Sequence, residues 1–389
     1  MKYLGNEQHQ QLVDLRHHIH KFPELAHHER ETASHITDLL KKTQPDELLT
    51  GIGGSGIMAV YEGDSPGPSL MLRSELDALP ISEPAALDIA YRSENSGISH
   101  KCGHDGHMSI LAGVALVLGQ IRPAKGKICL LFQPAEEVGE GAQKILDDPK
   151  FQQNEPDYML ALHNLPGYPI NSIIVRDGIF AAASVGMKTH LRGDTSHAAH
   201  PEDGRSPALA VAQLINTISA LPQFHVPLSD AAKATIIHAR IGEQAFGTSP
   251  GEAEVMATLR AFENRWLDRM ADRAEKLVKS TAAMYGLEYK IDWVEPFRAT
   301  SSRSEINQHI RKTAHKMNLE LVEPNKPFAW SEDFGRFTEK YEGALFGLGA
   351  GIDQPQLHAS AYDFPDELIA SGTDVFLGIM ESMEMIKTD

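Results

Sequence analysis

Apolar and polar positions along the chain follow two periods. Leu12, Leu15 and Ile19 recur at helical spacing and Pro23 ends that run; residues 29–42 form a second helical stretch with Ala33, Ile36 and Leu40 on one face. Four short apolar runs then share one plan, each extended and each ending abruptly in polar residues. SLMLR leads to Glu75 and Asp77, and ICLLF leads through Gln133 and Pro134 to Glu136 and Glu137. YMLAL leads to His163, and ALFGLG leads through a glycine-rich turn to His358. Between the first two runs lies SHKCGHDGHMSI, residues 99–110, which continues into an apolar stretch ending at Leu118. That stretch is far short of the ~20 residues a membrane span needs, so it reads as a buried helix.

Apolar strands alternating with helices predict an α/β fold with a largely parallel or mixed central sheet covered on both faces. Residues 182–292 read differently. SVGMKTHLRG, ATIIHARIG and AEVMATLRAF alternate like half-buried strands, and residues 206–221 and 262–285 are helical. Two helices on a small antiparallel sheet make an inserted α+β domain, leaving residues 1–181 and 293–389 for the main one. A length of 389 residues fits two or three domains.

With 42% apolar and 23% charged residues the chain has the composition of a folded protein. Its 36 basic and 53 acidic residues give a net charge of -17, which disfavours nucleic acid and anionic membranes as partners. The amino-terminal MKYLGNEQHQQ has no apolar segment of the secretory kind, so a cytoplasmic location is expected. Two cysteines make no disulfide framework. Cys129 sits in an apolar run and reads as a small buried hydrophobe. His17, His18, His27, His28 and His35 lie on or beside the first two helices and read as solvated surface.

Ligands of parallel sheets gather beyond the carboxyl ends of the strands, and Cys102, His104, Glu136, Glu137, His163 and His358 all fall there. Thiolate, imidazole and carboxylate together suit zinc, with manganese, cobalt or nickel as substitutes. Cys102, His104, Glu137, His163 and His358 exceed the three or four protein ligands of one ion, so two ions sharing a bridging ligand about 3.5 to 4 Å apart is the natural arrangement. Adjacent carboxylates cannot both point at one ion alike, so one of Glu136 and Glu137 can bind while the other takes a proton. Asp77 and Asp105 are candidates for orienting a ligand imidazole. Each feature has a plainer reading: a solvated Glu pair, a turn cap at Asp77, a structural His107. Cys102 as a nucleophile with His104 or His107 as base would leave Glu137, His163 and His358 without a role.

KCGHDGH, FQPAEE, LHNLP, SEDFG and LHASAYDF, in this order, resemble the amidohydrolase branch of the aminoacylase-type di-metal peptidase family, which includes hippurate hydrolases and hydrolases of auxin–amino acid conjugates. The resemblance runs from HKFPE to DFPDELI. It implies a zinc-peptidase-like catalytic domain with an inserted lid through which a homodimer forms. Carried over by motif, Cys102, His104, Glu137, His163 and His358 are the ligands of two divalent ions, Glu136 is the general base and Asp77 the acid of the family's DMDALP. His197 in DTSHAAHP matches a lid histidine that reaches a neighbouring subunit's site, and Arg260 matches the arginine that binds the substrate carboxylate. Two departures stand out: Glu75 replaces the usual aspartate, and FGTSP puts Gly247 where the branch has an asparagine. The reaction implied is hydrolysis of the amide bond of an N-acyl amino acid or similar small amide. The alternatives are a dipeptidase or carboxypeptidase on the same scaffold, or a non-catalytic metal-binding protein.

Overall fold

The structure, a computed structural model, describes residues 2–387. The described chain divides into two compact units. One comprises the residues up to Phe180, Thr300–Pro327 and those from Asp333 onward; the other comprises Ala181–Ala299 and Phe328–Glu332.

The first unit is built on a mixed eight-stranded sheet. Its middle consists of four adjacent parallel strands in the order Lys127–Gln133, Ser69–Glu75, Tyr158–Leu165 and Glu342–Gly349. These are the strands expected from ICLLF, SLMLR, YMLAL and ALFGLG. Apart from the first residue in three of them, every position is buried, which is why they read as continuous apolar runs and not as alternation. Gly56–Glu62 adds antiparallel to Lys127–Gln133, followed by Glu47–Ile52. Beyond Glu342–Gly349 lie the two-residue strands Ile173–Ile174 and Leu321–Val322.

The helix His104–Leu118 packs against the helices Asn6–Lys21 and Glu367–Ser382 and against Ser69–Glu75. All of its 15 residues except Leu116 are buried, so the apolar stretch is a core helix. Burying each large aliphatic side chain there contributes about 1.5–3 kcal/mol. The helix begins at Gly103, whose φ of 92° is left-handed, and a Cβ at that point would lie 2.7 Å from the Asn164 side chain. Gly106 is pressed in turn against the Phe364 ring. The two glycines of CGHDGH are thus fixed by backbone conformation and by close approach.

In the second unit, Ala232–Ile241, Glu252–Ala261, Ala183–Arg192 and Glu288–Phe297 form, in that order, an antiparallel sheet. Val255, Ala257 and Leu259 alternate onto its buried face, against Ala208–Ser219 and Asn264–Met284. The expected limit at residue 292 falls inside the strand Glu288–Phe297, whose ladder continues to Phe297 opposite Ser184. Residues 328–332 join this unit because the Ala182 N–H reaches the carbonyls of Phe328 and Trp330 at 3.1 and 3.0 Å. Among the described residues no helix is long and apolar enough to cross a membrane.

Candidate metal centre

At the carboxyl edge of the four parallel strands the chain brings together all five expected metal ligands and Glu136, with His163 still inside its strand. Donor atoms of Cys102, His104 and His163 lie within 4.8 Å of one another, as do those of Cys102, Glu137 and His358 and those of His104, Glu136 and Glu137. Cys102 Sγ is 3.5 Å from His163 Nε2. His104 Nε2 is 3.8 Å from Glu136 Oε2 and 3.9 Å from Glu137 Oε1. The other Glu137 oxygen lies 3.7 Å from His358 Nε2, so this carboxylate spans two donor groups.

Local backbone aims each donor. His163 lies inside Tyr158–Leu165, and its Nδ1 donates to the Asn164 carbonyl at 2.9 Å, turning the Nε2 lone pair toward Cys102. Burial, then His107, pushes the His163 pKa down to about 3, which keeps the ring neutral as a ligand must be. His104 opens the buried helix, and its Nδ1 donates to the Asp77 carbonyl at 2.8 Å. Asp77 also accepts the Glu137 N–H on Oδ2 at 2.9 Å, so one residue aligns two donors. The turn carrying Glu136 and Glu137 is bent by Ala135, at a left-handed φ of 52°, whose N–H is held by Glu29 Oε1 at 2.8 Å. Glu136 Oε1 accepts the Asp333 N–H at 3.3 Å. Cys102 and His358 belong to no helix or strand. His358 adopts φ 64° and donates its N–H to the Lys101 carbonyl at 2.8 Å, and its side chain is 52% exposed.

The donor set fits a divalent cation. His104 Nε2 is buried with no hydrogen-bond partner, which is costly unless something else meets it. Burial lowers the His104 pKa, but Asp77, Glu75 and Glu137 outweigh it and raise it to about 10. The cluster therefore favours a positive charge at that point. A mix of thiolate, imidazole and carboxylate at these separations suits zinc or a similar borderline ion.

Several neighbours take other parts. Asp105 does not orient a ligand imidazole; its Oδ2 is bound by Arg16 Nε at 2.9 Å and faces His20 Nδ1 at 2.8 Å. His107 bridges Glu75 Oε2 at 2.7 Å and Asn164 Oδ1 at 2.6 Å. Glu75, whose longer side chain stood out in the sequence, is bound by Arg73 as well. Burial opposes its ionisation, but Arg73 and His107 hold its carboxyl well below the usual range. Arg73 Nη2 continues to Asp333 Oδ1 at 2.7 Å, so a fully buried chain links His107 to the segment beside Glu136. Sequence alone passed over Arg73, because a charged residue inside an apolar run gives no hint of its partner 260 positions away. His17 is not merely solvated surface: its ring stacks on Tyr91 at 3.7 Å and Nε2 lies 2.8 Å from Asp366 Oδ2.

Arg260 and His197 lie in the second unit. One Arg260 Nη donates to the Ala329 carbonyl and to Ser331 Oγ, both at 2.7 Å. His197 is exposed, in a short strand paired with Thr248–Ser249. Its Nδ1 accepts the Ala199 N–H at 3.1 Å, so in the neutral ring the proton sits on Nε2, available to donate. Gly247 accepts the Ala198 N–H at 2.9 Å, and nothing lies within 4 Å of where its Cβ would stand. Neither conformation nor space demands glycine there.

Comparison with known proteins places this geometry among relatives. The model of peptidase family M20/M25/M40 matches residues 71–382. The chain is 31% identical over 353 residues to an N-acetyl-L-cysteine deacetylase of Bacillus subtilis, covering 90% of this chain and 82% of that protein. It is 28% identical over 370 residues to an N-acetyldiaminopimelate deacetylase of Priestia megaterium, covering 92% and 96%. A crystal structure of a Bacillus subtilis dinuclear metal-binding peptidase from the M20 family superposes with a TM-score of 0.80 at 24% identity, covering 98% of this chain and 99% of that one. That last likeness is one of fold.

Proposed function

The chain belongs to peptidase family M20/M25/M40, and from that premise we propose that it is a metal-dependent hydrolase cleaving the amide bond of N-acyl amino acids. The observation that carries this reading is the convergence of Cys102, His104, Glu137, His163 and His358, with Glu136 beside His104 and Glu137. The deacetylase relatives support the substrate class.

Cys102, His104 and His163 on one side and Cys102, Glu137 and His358 on the other would hold two divalent ions, zinc best suiting the donors and manganese, cobalt or nickel substituting. When bound, such ions acidify a water and polarise the substrate carbonyl. Glu136 takes the proton of the attacking water and passes it to the departing amine nitrogen. The Asp333 N–H steadies the Glu136 carboxylate, and Asp77 holds His104 and Glu137 in line. Arg260 pairs with the substrate carboxylate. The partner subunit's His197 donates from Nε2 to the carbonyl oxygen as it becomes tetrahedral. Homodimerisation through the second unit is supported by its outer strand Ala232–Ile241, where Ile237 is 59% exposed. We place the enzyme in the cytoplasm, acting on a small molecule.

The test is a panel of N-acetyl and N-benzoyl amino acids and free dipeptides, read by release of free amino acid with each metal in turn. Hydrolysis of N-acyl amino acids above dipeptides is expected. Preference for dipeptides would overturn the substrate class, and metal binding without any cleavage would overturn the activity.

A further inference from the structure

Arg16, on the helix Asn6–Lys21, has no exposed surface. Its Nε binds Asp105 Oδ2 at 2.9 Å, and one Nη binds Asp363. One turn further, His20 faces Asp105 Oδ2 at 2.8 Å and Glu83 Oε1 at 2.9 Å. The same Glu83 oxygen accepts Lys101 Nζ at 2.5 Å, and Nζ also donates to the Tyr362 carbonyl at 2.7 Å. Burying an ammonium and a guanidinium is tolerable only when both stay paired, so each contact fixes the backbone that carries its partner.

The partners are sequence neighbours of the metal donors. Lys101 precedes Cys102 and its carbonyl holds the His358 N–H. Asp105 follows His104, and Tyr362 lies in the turn that follows His358. No helix or strand contains Cys102 or His358, so no backbone ladder sets their place. His163, by contrast, is set by Tyr158–Leu165. We infer that Glu83 is a positioning residue of the metal centre, which, by anchoring His20 and Lys101 together, sets Cys102 and His358 at ligating distance. This rests on the metal reading above and goes beyond it, since Glu83 touches none of the donors.

The test is cobalt(II) titration of metal-free protein, following thiolate-to-cobalt absorption and competing with a chelator for affinity. Glu83→Gln should weaken cobalt binding about tenfold to a hundredfold, the usual effect of losing a residue that supports metal ligands. It should also diminish the thiolate absorption, in protein that circular dichroism shows to be folded. The paired variant Glu83→Gln with Lys101→Met strands no buried charge and should show the same loss, so the test holds even where the single variant fails to fold. Wild-type affinity and absorption in either folded variant would overturn the role of Glu83. Wild-type protein that takes up no cobalt would instead fail the metal reading, and this inference with it.

Discussion

Glu136 and Glu137 are adjacent in sequence yet face different groups. The left-handed Ala135 bends the chain just before them, the Glu137 N–H is tied to Asp77, and Glu136 Oε1 receives the Asp333 N–H. Glu137 directs one oxygen toward His104 and the other toward His358, whereas Glu136 turns Oε2 toward His104. On this account Glu136→Gln lowers turnover about 10² to 10⁴-fold, the range for a lost general base, and keeps its metal. Glu137→Gln loses metal as well. Metal analysis beside steady-state kinetics checks this, and equal metal loss in both variants would contradict it. That Cys102, His104, Glu137, His163 and His358 would gather was legible from residue type near strand ends, because thiolate, imidazole and carboxylate rarely collect there by chance. Asp105 was not: its place beside His104 resembles that of a ligand's helper, but the helix turns its side chain to Arg16 and His20.

At the scale of elements, the four parallel strands could be read because both their faces are buried and their apolar runs stop at the site. The strands Ile173–Ile174 and Leu321–Val322 could not, since two residues carry no period and only pairing defines them. The buried charges between Asn6–Lys21, the segment before His104–Leu118 and the turn after His358 were equally hidden, because arginine and lysine in a sequence look like surface residues. Their cost appears in acid. Burial favours a neutral Glu83, but hydrogen bonds from His20 and Lys101 prevail and bring its pKa down to about 2 from an ordinary 4.5. A carboxyl depressed in the folded state contributes stability that is full above the unfolded value and is lost as pH falls through the folded one. Urea unfolding of metal-free protein should therefore show stability falling from about pH 4.5 toward pH 2. Glu83→Gln should fall less steeply over that window. Identical pH dependence in both proteins would mean that Glu83 is not held by these partners.

For the whole molecule, the insert was legible from its change of period, but its limits were not. Residue 292 lies in mid-strand, and residues 328–332 join the unit through backbone bonds to Ala182 that leave no mark in composition. The role proposed for His197 requires a second subunit. His197→Ala should cut turnover a hundredfold or more, as loss of one donor to a developing oxyanion commonly does, with metal retained. Co-expression with Glu136→Gln should restore part of the activity, since a hybrid dimer joins an intact donor cluster to an intact histidine. Inactive hybrids that are shown to form would contradict action across subunits.

On the proposed function, amide hydrolysis depends on two divalent ions held by Cys102, His104, Glu137, His163 and His358. This dependence is tested most directly by stripping the protein with a chelator and titrating zinc back while following amino-acid release from an N-acetyl amino acid. Stripped protein should release no amino acid, activity should rise to a plateau at two ions per chain, and Glu136→Gln should show the same uptake with little activity. Full activity in the stripped protein, or none with two ions bound, would contradict it.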